Sequence, residues 1–175
     1  MTLARIVTAA ATALIAFVIL TSTLLAQASD TRRYWAQWRG PHATGVSSTA
    51  NPPLEWSETR NIRWKVQIPG RGSSSPIVWE GKVFVTSATD NGTKCRVFCV
   101  DAQSGKILWD KHVFDQQPRR KEGKNSYATP TPATDGKHVF AVFGDGSVVA
   151  LTMSGDIVWT NREVQFYSRH GLGAS

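Results

Sequence analysis

The 175-residue chain is poor in cysteine, with only Cys95 and Cys99. Both lie in a stretch, residues 94–101, whose apolar residues predict a strand, and residues four apart on a strand are separated by about 13 Å. A disulfide requires Cα atoms within roughly 7 Å, so we do not expect these two cysteines to be bonded. A metal site would need further ligands, and no histidine or acidic cluster with zinc-like spacing is nearby. We interpret the two as small strand side chains.

Histidine is also scarce, and none of the four accompanies a recognisable nucleophile motif. His170 precedes Gly171-Leu172-Gly173, where loops of consecutive repeats are expected to converge, so it is a candidate for facing a central channel. The alternative is a loop histidine bonded to the backbone. Neither Gly-x-Gly segment, at residues 70–72 or 171–173, lies between a strand and a helix, which excludes a dinucleotide-binding fingerprint. The other histidines are His42, His112 and His138.

Acidic residues are fewer than basic ones, 13 against 20, which gives a formal net charge of +7. An excess of positive charge favours anionic partners but does not identify a ligand. Four cations fall within a short stretch that contains Gln, Pro and Gly and therefore predicts a loop. This loop is either a solvated connection or a docking patch for an anionic ligand. The four residues are Arg119, Arg120, Lys121 and Lys124.

The chain has a single long apolar stretch, at residues 6–25, after the positively charged start that Arg5 provides. Ala26-Gln27-Ala28 follows with the small-x-small pattern of a signal-peptidase site, so residues 1–28 are predicted to be a secretory signal peptide. An uncleaved anchor is the rival, since about 20 apolar residues cross a bilayer, but several Thr and Ser residues dilute this stretch. No cysteine marks a lipoprotein attachment site. We expect an exported protein, periplasmic or extracellular, that is not a lipoprotein, has no transmembrane span after cleavage and is an improbable nucleic-acid binder.

Helical periodicity is absent after residue 28, and short β-type runs bounded by turn residues replace it. Residues 29–61 form an irregular segment rich in Pro, Gly, Ser, Thr and Trp. Glycines that end Asn-Gly, Asp-Gly and Ser-Gly pairs punctuate the rest, because glycine accepts the positive φ of tight hairpin turns. The chain is therefore predicted to be all-β. The predicted strands are residues 62–68, 77–79, 82–87, 94–100, 107–113, 139–143, 147–152 and 157–162.

The sequence repeats itself after residue 60. Residues 97–109 align with residues 148–159 after one deletion, so that Gly105 and Trp109 recur as Gly155 and Trp159. Residues 75–85 match residues 129–141, and Trp64 begins a partial earlier copy. Four strands in each unit of about 40–50 residues are typical of a β-propeller blade. We predict incomplete propeller repeats over residues 62–175: about two full four-stranded antiparallel blades plus partial ones.

Closed propellers need about four to eight blades. We therefore expect the sequence to be a fragment, unless several copies complete one ring.

The segment from Asp101 to Trp109, Asp-Ala-Gln-Ser-Gly-Lys-Ile-Leu-Trp, resembles the hallmark of pyrroloquinoline-quinone-like (PQQ-like) repeats. In those repeats a strand ends in Asp-Ala, turns through Thr/Ser-Gly-Lys and returns to a Trp. The second copy keeps Gly155 and Trp159, and the likeness covers about residues 60–175. The Trp-Arg-Gly-Pro sequence at residues 38–41 is similar to openings of bacterial exported proteins of this type.

The motif has a structural logic of its own. Asp101 can accept hydrogen bonds from turn amides, and Gly105 can adopt the left-handed conformation that other residues avoid. Trp109 leaves the turn on a strand, where its ring can pack between blades, and Trp159 and Trp64 hold the same place in the other copies. We expect these residues to serve the architecture of the repeat.

The resemblance implies a fold more than a chemistry, because the same repeat builds quinone-dependent dehydrogenases and non-catalytic scaffolds. We expect an exported, non-catalytic scaffold without a cofactor that binds a protein partner in the cell envelope, similar to propellers that assemble outer-membrane proteins. The alternative is part of a PQQ-dependent quinoprotein dehydrogenase acting on alcohols or sugars, with PQQ and calcium. Such an enzyme would need a calcium site and a catalytic Asp, and no residue here can be assigned either role by motif.

Overall fold

The computed structural model describes residues 33–163 and residue 173. The chain divides into two compact units, Met1–Arg33 and Tyr34–Ser175. The predicted signal peptide and His170 lie outside the described residues. Within the described part, no helix has the length and apolar character needed to span a membrane.

Two four-stranded antiparallel sheets form the second unit, each with its strands in sequence order. Sheet 1 contains β1 (Ile77–Trp79), β2 (Lys82–Thr89), β3 (Lys94–Asp101) and β4 (Ile107–Asp115). Sheet 2 contains β5 (Ala133–Thr134), β6 (His138–Val142), β7 (Val148–Thr152) and β8 (Ile157–Asn161). A short 3-10 turn at Asp90–Gly92 connects β2 to β3. The all-β prediction and the repeating four-stranded unit are confirmed.

Seven of the eight predicted strands are present, with ends within two residues of their predicted bounds. The strand predicted at residues 62–68 is wrong: this segment forms no strand. A strand requires a hydrogen-bonded neighbour, and in the described chain only isolated bridges flank this segment, at Ser57–Arg60 and Arg71–Ala88. Sequence reasoning missed β5, which is too short to show an alternating pattern.

The hydrophobic core joins the two sheets. β3 is buried along four consecutive residues, Val97–Val100, so both of its faces are covered. Phe84 and Val97 of sheet 1 belong to the same buried cluster as Val149 and Leu151 of sheet 2. Burying a large apolar side chain stabilises the fold by about 1.5–3 kcal/mol. The two repeats therefore share one core.

The irregular N-terminal segment has two parts with different environments. Trp35 pairs with Val78 of β1, and the carbonyl of Ala36 accepts a hydrogen bond from the amide of Thr134 at 2.9 Å. These contacts attach residues 34–36 to both sheets. Residues 46–63, by contrast, are exposed throughout.

Candidate functional site

The turn between β3 and β4 closes around Asp101. Its Oδ1 accepts hydrogen bonds from the amides of Gln103 and Ser104, at 3.2 and 2.7 Å, and from the Ser104 hydroxyl at 2.6 Å. The Ser104 hydroxyl, followed by these amides, lowers the pKa of Asp101 below its ordinary value. The expectation that Asp101 accepts hydrogen bonds from the turn is confirmed.

The equivalent turn of sheet 2 uses different side chains. Thr152 stands where the first repeat has Asp101, and its Oγ1 accepts a hydrogen bond from the amide of Asp156 at 3.1 Å. The Ser154 hydroxyl in turn donates to Asp156 Oδ2 at 3.0 Å. In the first repeat the acidic residue precedes the turn glycine, whereas in the second it follows the glycine. Local polar contacts close both turns.

A tryptophan from the preceding repeat covers the glycine of each turn. The indole N–H of Trp64 donates to the carbonyl of Ala102 at 3.0 Å. Gly105 has a φ of 74°, and a Cβ atom built there would lie 2.6 Å from the Trp64 ring. Both the backbone conformation and the close approach of the ring therefore require glycine.

The same contact recurs one repeat later. The indole N–H of Trp109 donates to the carbonyl of Met153 at 3.2 Å, and a Cβ at Gly155 would lie 2.9 Å from the Trp109 ring. We call this paired contact, a tryptophan ring over the glycine turn of the next repeat, the tryptophan latch. The prediction that Trp109 packs between repeats is confirmed.

Trp159 holds the third position of the series and has a different environment. Its ring lies 6.3 Å from that of Phe140 but remains 45% exposed, and its neighbours Ile157 and Val158 are also exposed. Packing of Trp159 between repeats stays a prediction.

Hydrogen bonds from the side chain of Gln116 hold the start of the loop between β4 and β5 in place. The buried side-chain amide of Gln116 donates to the carbonyls of Gly92 at 2.8 Å and Tyr127 at 3.3 Å. The Tyr127 carbonyl also accepts a hydrogen bond from the amide of Gly144 at 3.0 Å. The two ends of the loop are thereby held near each other and near the turn between β2 and β3.

The structure separates the four clustered cations of this loop. Lys121 is half-buried, with its ammonium 5.3 Å from the centre of the Tyr127 ring, a cation–π distance. The Tyr127 hydroxyl donates to the carbonyl of Arg119 at 2.9 Å. Arg119, Arg120 and Lys124 have exposed positions.

Two adjoining clefts lie beside this loop, with volumes of about 690 and 540 Å³. Both are lined by Arg71 from the segment before β1, and by Asn125 and Ser126. Lys121 lines the larger cleft and Lys124 the smaller. We call the two together the basic groove. Arg119 and Arg120 do not line it.

Sequence reasoning missed Arg71, which lies about fifty positions before the basic loop. Its Gly-Arg-Gly setting is not a dinucleotide-binding fingerprint and gives no sign of which loop Arg71 approaches. Only the pairing of Arg71 with Ala88 places it beside the other cations.

Among the described residues that line the groove, Asp90 is the one acidic side chain, and its charge is paired. Asp90 forms an ion pair with Lys94 at 2.8 Å, and the hydrogen bond from Lys94 lowers the pKa of Asp90 below its ordinary value. The same contact raises the pKa of Lys94. The net charge of the groove walls is therefore positive, from Arg71, Lys121 and Lys124.

The remaining candidate residues are not brought together. His112 pairs with Asp115 at 2.8 Å and His138 with Asp135 at 3.3 Å, each within its own strand or turn. Cys95 and Cys99 are buried, free thiols, as predicted.

A calcium–quinone centre would need several oxygen ligands, acidic side chains among them, close together. In residues 33–163 and residue 173, no three His, Cys, Asp or Glu side chains come close enough to hold a metal ion.

A family model described as outer membrane protein assembly factor BamB matches residues 43–162, more than half of the chain. The chain belongs to this family. Its two sheets are thus antiparallel blades of a PQQ-like β-propeller, as the repeat predicted. The comparison with curated proteins finds no match.

Solved structures similar to this chain are much longer than it. BamB from Moraxella catarrhalis is 27% identical over 57% of this chain and 26% of its own, with a TM-score of 0.41. A europium-containing methanol dehydrogenase is 18% identical over 55% of this chain and 16% of its own, with a TM-score of 0.39. The chain spans about a quarter or less of either protein.

Proposed function

We propose that this chain belongs to an exported, non-catalytic propeller that binds a protein partner in the cell envelope and supports outer-membrane protein assembly. The observation that carries the proposal is membership of the BamB family over residues 43–162. The description of that family names an assembly factor, and the two blades present here are the part of the chain that matches it.

The way the repeat motif is used supports a scaffold. Asp101 closes its own turn, while Trp109 and Gly155 form a latch between blades. These side chains are occupied by contacts that build the fold. Recognition of a partner is therefore left to the loops and exposed faces, since connections between strands commonly carry binding residues.

Export is part of the same proposal and rests on the leader sequence. Residues 1–28 provide the positive start, the apolar stretch and the cleavage pattern of a signal peptide. The mature chain would begin at Ser29 and, lacking a cysteine at this point, would not be lipid-modified.

The proposal is tested by expressing the full chain in a bacterium whose own copy has been deleted. We expect the mature protein in the periplasmic fraction with Ser29 as its first residue, and restoration of outer-membrane protein levels that the deletion lowers. A photocrosslinking amino acid at exposed Trp56 or Lys137 should join it to an envelope protein, whereas one at buried Val149 should not.

Unchanged outer-membrane protein levels in the deletion strain would contradict the assembly role. The dehydrogenase alternative is tested in parallel by adding PQQ and calcium to the purified chain. Retention of the quinone, with dye reduction by an alcohol or a sugar, would replace our proposal by that alternative.

A further inference from the structure

The basic groove is built by two different blades. Arg71 lies just before β1 of the first blade, whereas Lys121 and Lys124 belong to the connection that leads into the second. Arg71 is held in place by backbone hydrogen bonds with Ala88 in both directions, at 2.9 and 3.0 Å. Gln116 and Tyr127 fix the start and the end of the opposite wall. Both walls are thus anchored to the sheets.

The charge of the groove selects an anion. Arg71 and Lys124 are exposed and Lys121 is half-buried, so all three can reach a ligand in the groove. Asp90 does not offset them, because its carboxylate is bound by Lys94 at 2.8 Å. Asn125 and Ser126 add polar groups that lie in both clefts. Guanidinium and ammonium groups spaced along a groove suit carboxylates.

The shape of the groove favours a linear ligand over a single small ion. Two clefts of about 690 and 540 Å³ share Gly70, Arg71 and Gly123, so they continue into each other. Lys121 lines only the larger cleft and Lys124 only the smaller, while Arg71 lines both. Successive negative charges on one extended chain would meet successive cations.

We propose that the basic groove binds an extended, acidic peptide segment of a protein partner. The choice of a peptide rests on the proposed scaffold function, because an assembly factor acts on protein chains. The cations of Arg71, Lys121 and Lys124 pair with its carboxylates, and the exposed groove makes the binding sensitive to salt.

Binding is measured by fluorescence anisotropy with the full chain and a fluorescein-labelled Glu-Ser repeat peptide. A Gln-Ser peptide of equal length tests the need for charge, and an oligogalacturonate tests an acidic sugar chain. The groove variant combines Arg71→Ser, Lys121→Ser and Lys124→Ser.

The control variant removes three exposed cations outside the groove and so has the same net charge. It combines Arg63→Ser, Lys106→Ser and Arg120→Ser. Circular dichroism and melting temperature establish that both variants are folded.

We expect the Glu-Ser peptide to bind the wild type and the control variant within about twofold of each other, and the groove variant about tenfold more weakly. Binding should weaken as salt is raised and should be absent with the Gln-Ser peptide. Equal affinity of the groove variant and the wild type would overturn the proposal, as would an equal loss in the control. Tighter binding of oligogalacturonate than of the peptide would overturn the choice of ligand.

Failure of this proposal is distinguishable from failure of the scaffold function. If the groove variant still restores outer-membrane protein levels and still crosslinks to its envelope partner through Trp56 or Lys137, the groove proposal is wrong while the scaffold function stands.

Discussion

At the scale of single residues, Asp101 and Thr152 show that one turn can be closed by different chemistries. The carboxylate of Asp101 accepts hydrogen bonds from two amides and one hydroxyl. In the second turn, Thr152, Ser154 and Asp156 together provide the side-chain hydrogen bonds that close the turn. Both turns keep a glycine at positive φ, Gly105 at 74° and Gly155 at 93°. Side-chain hydrogen bonding is thus replaceable here, while the backbone requirement for glycine is not.

The lowered pKa of Asp101 predicts a pH-dependent contribution to stability. Its folded pKa lies below the ordinary 3.8, so the ionised carboxylate stabilises the fold above that pH and loses this effect as the pH falls through the folded pKa. Asp101→Asn should melt below the wild type by a constant margin from about pH 7 to about pH 5, and the margin should shrink below about pH 4. Thermal melts followed by circular dichroism measure this. A margin that widens on acidification would contradict it.

The two thiols are predicted to be unreactive in the folded chain. Cys95 and Cys99 are 0% exposed, and burial raises the pKa of Cys99 to about 11 and also raises that of Cys95. The thiolate is the reactive form, so both access and ionisation oppose modification. Ellman's reagent at about pH 8 should label neither thiol in the native protein and both in guanidinium.

A Lys106→Cys variant supplies an exposed thiol as a positive control for this labelling. Rapid labelling of the native wild type at the same rate as that control would show that β3 is not buried as described.

At the scale of elements, the tryptophan latch explains how one blade holds the next. The ring of Trp109 covers Gly155 while its N–H bonds to Met153. The contact is made by the outermost strand of one sheet with a turn of the following sheet. It depends on two positions far apart in sequence, so it couples the blades rather than stabilising either alone.

The latch predicts unequal effects of two identical substitutions. Trp109→Ala should lower the free energy of unfolding by about 3 kcal/mol, since it removes a packed ring and an indole hydrogen bond. Trp159→Ala should cost about 1 kcal/mol or less, because its ring is 45% exposed. Urea denaturation followed by circular dichroism compares them.

Trp109→Phe keeps an aromatic ring but loses the N–H donor, and it should cost about 1 kcal/mol. If Trp109→Ala and Trp159→Ala lowered the free energy of unfolding equally, the tryptophan latch would contribute no more to stability than an exposed ring.

Most strands whose partner is nearby in the chain were predicted from the sequence, and the two-residue β5 was not. Short β-type runs bounded by turn residues predicted β2, β3 and β4, and these strands pair in sequence order, β3 and β4 with two register shifts. Residues 62–68 have the same composition but no such partner, so they form no strand. Composition sets the tendency to be extended, and pairing decides whether a strand forms.

At the scale of the whole molecule, the two blades are joined by contacts at several levels. The rings of Phe114 and Phe143 meet edge to face at 5.3 Å. Arg162, which follows β8, donates to the carbonyl of Asp115 at 2.7 Å, and its guanidinium lies 5.1 Å from the Phe114 ring. The shared core, the Phe114–Phe143 contact and the Arg162 contacts indicate that the two blades unfold as one cooperative unit.

Cooperativity is tested by a cavity in one blade and a readout in the other. Leu151→Ala in β7 removes a fully buried side chain and should lower the free energy of unfolding by about 3 kcal/mol. If the blades unfold together, hydrogen exchange should accelerate in β3 as well as in β7. Val158→Ala, at an exposed position of sheet 2, is the control and should leave both unchanged. Faster exchange confined to sheet 2 would show that the blades unfold separately.

The sequence by itself determined the all-β class and the turn glycines, because strands and turns depend on neighbours within about a dozen residues. It also determined the repeat, because the same local pattern recurs about 50 residues later in the chain. The hydrogen-bonded turn of Asp101 and the packing of Trp109 were expected from the motif that contains both residues. Tertiary structure alone decided that Arg71 joins Lys121 and Lys124 in one groove, and that Arg119 and Arg120 do not. That outcome depends on how two blades pack, and the packing contacts join residues too distant in the chain for any local pattern to record.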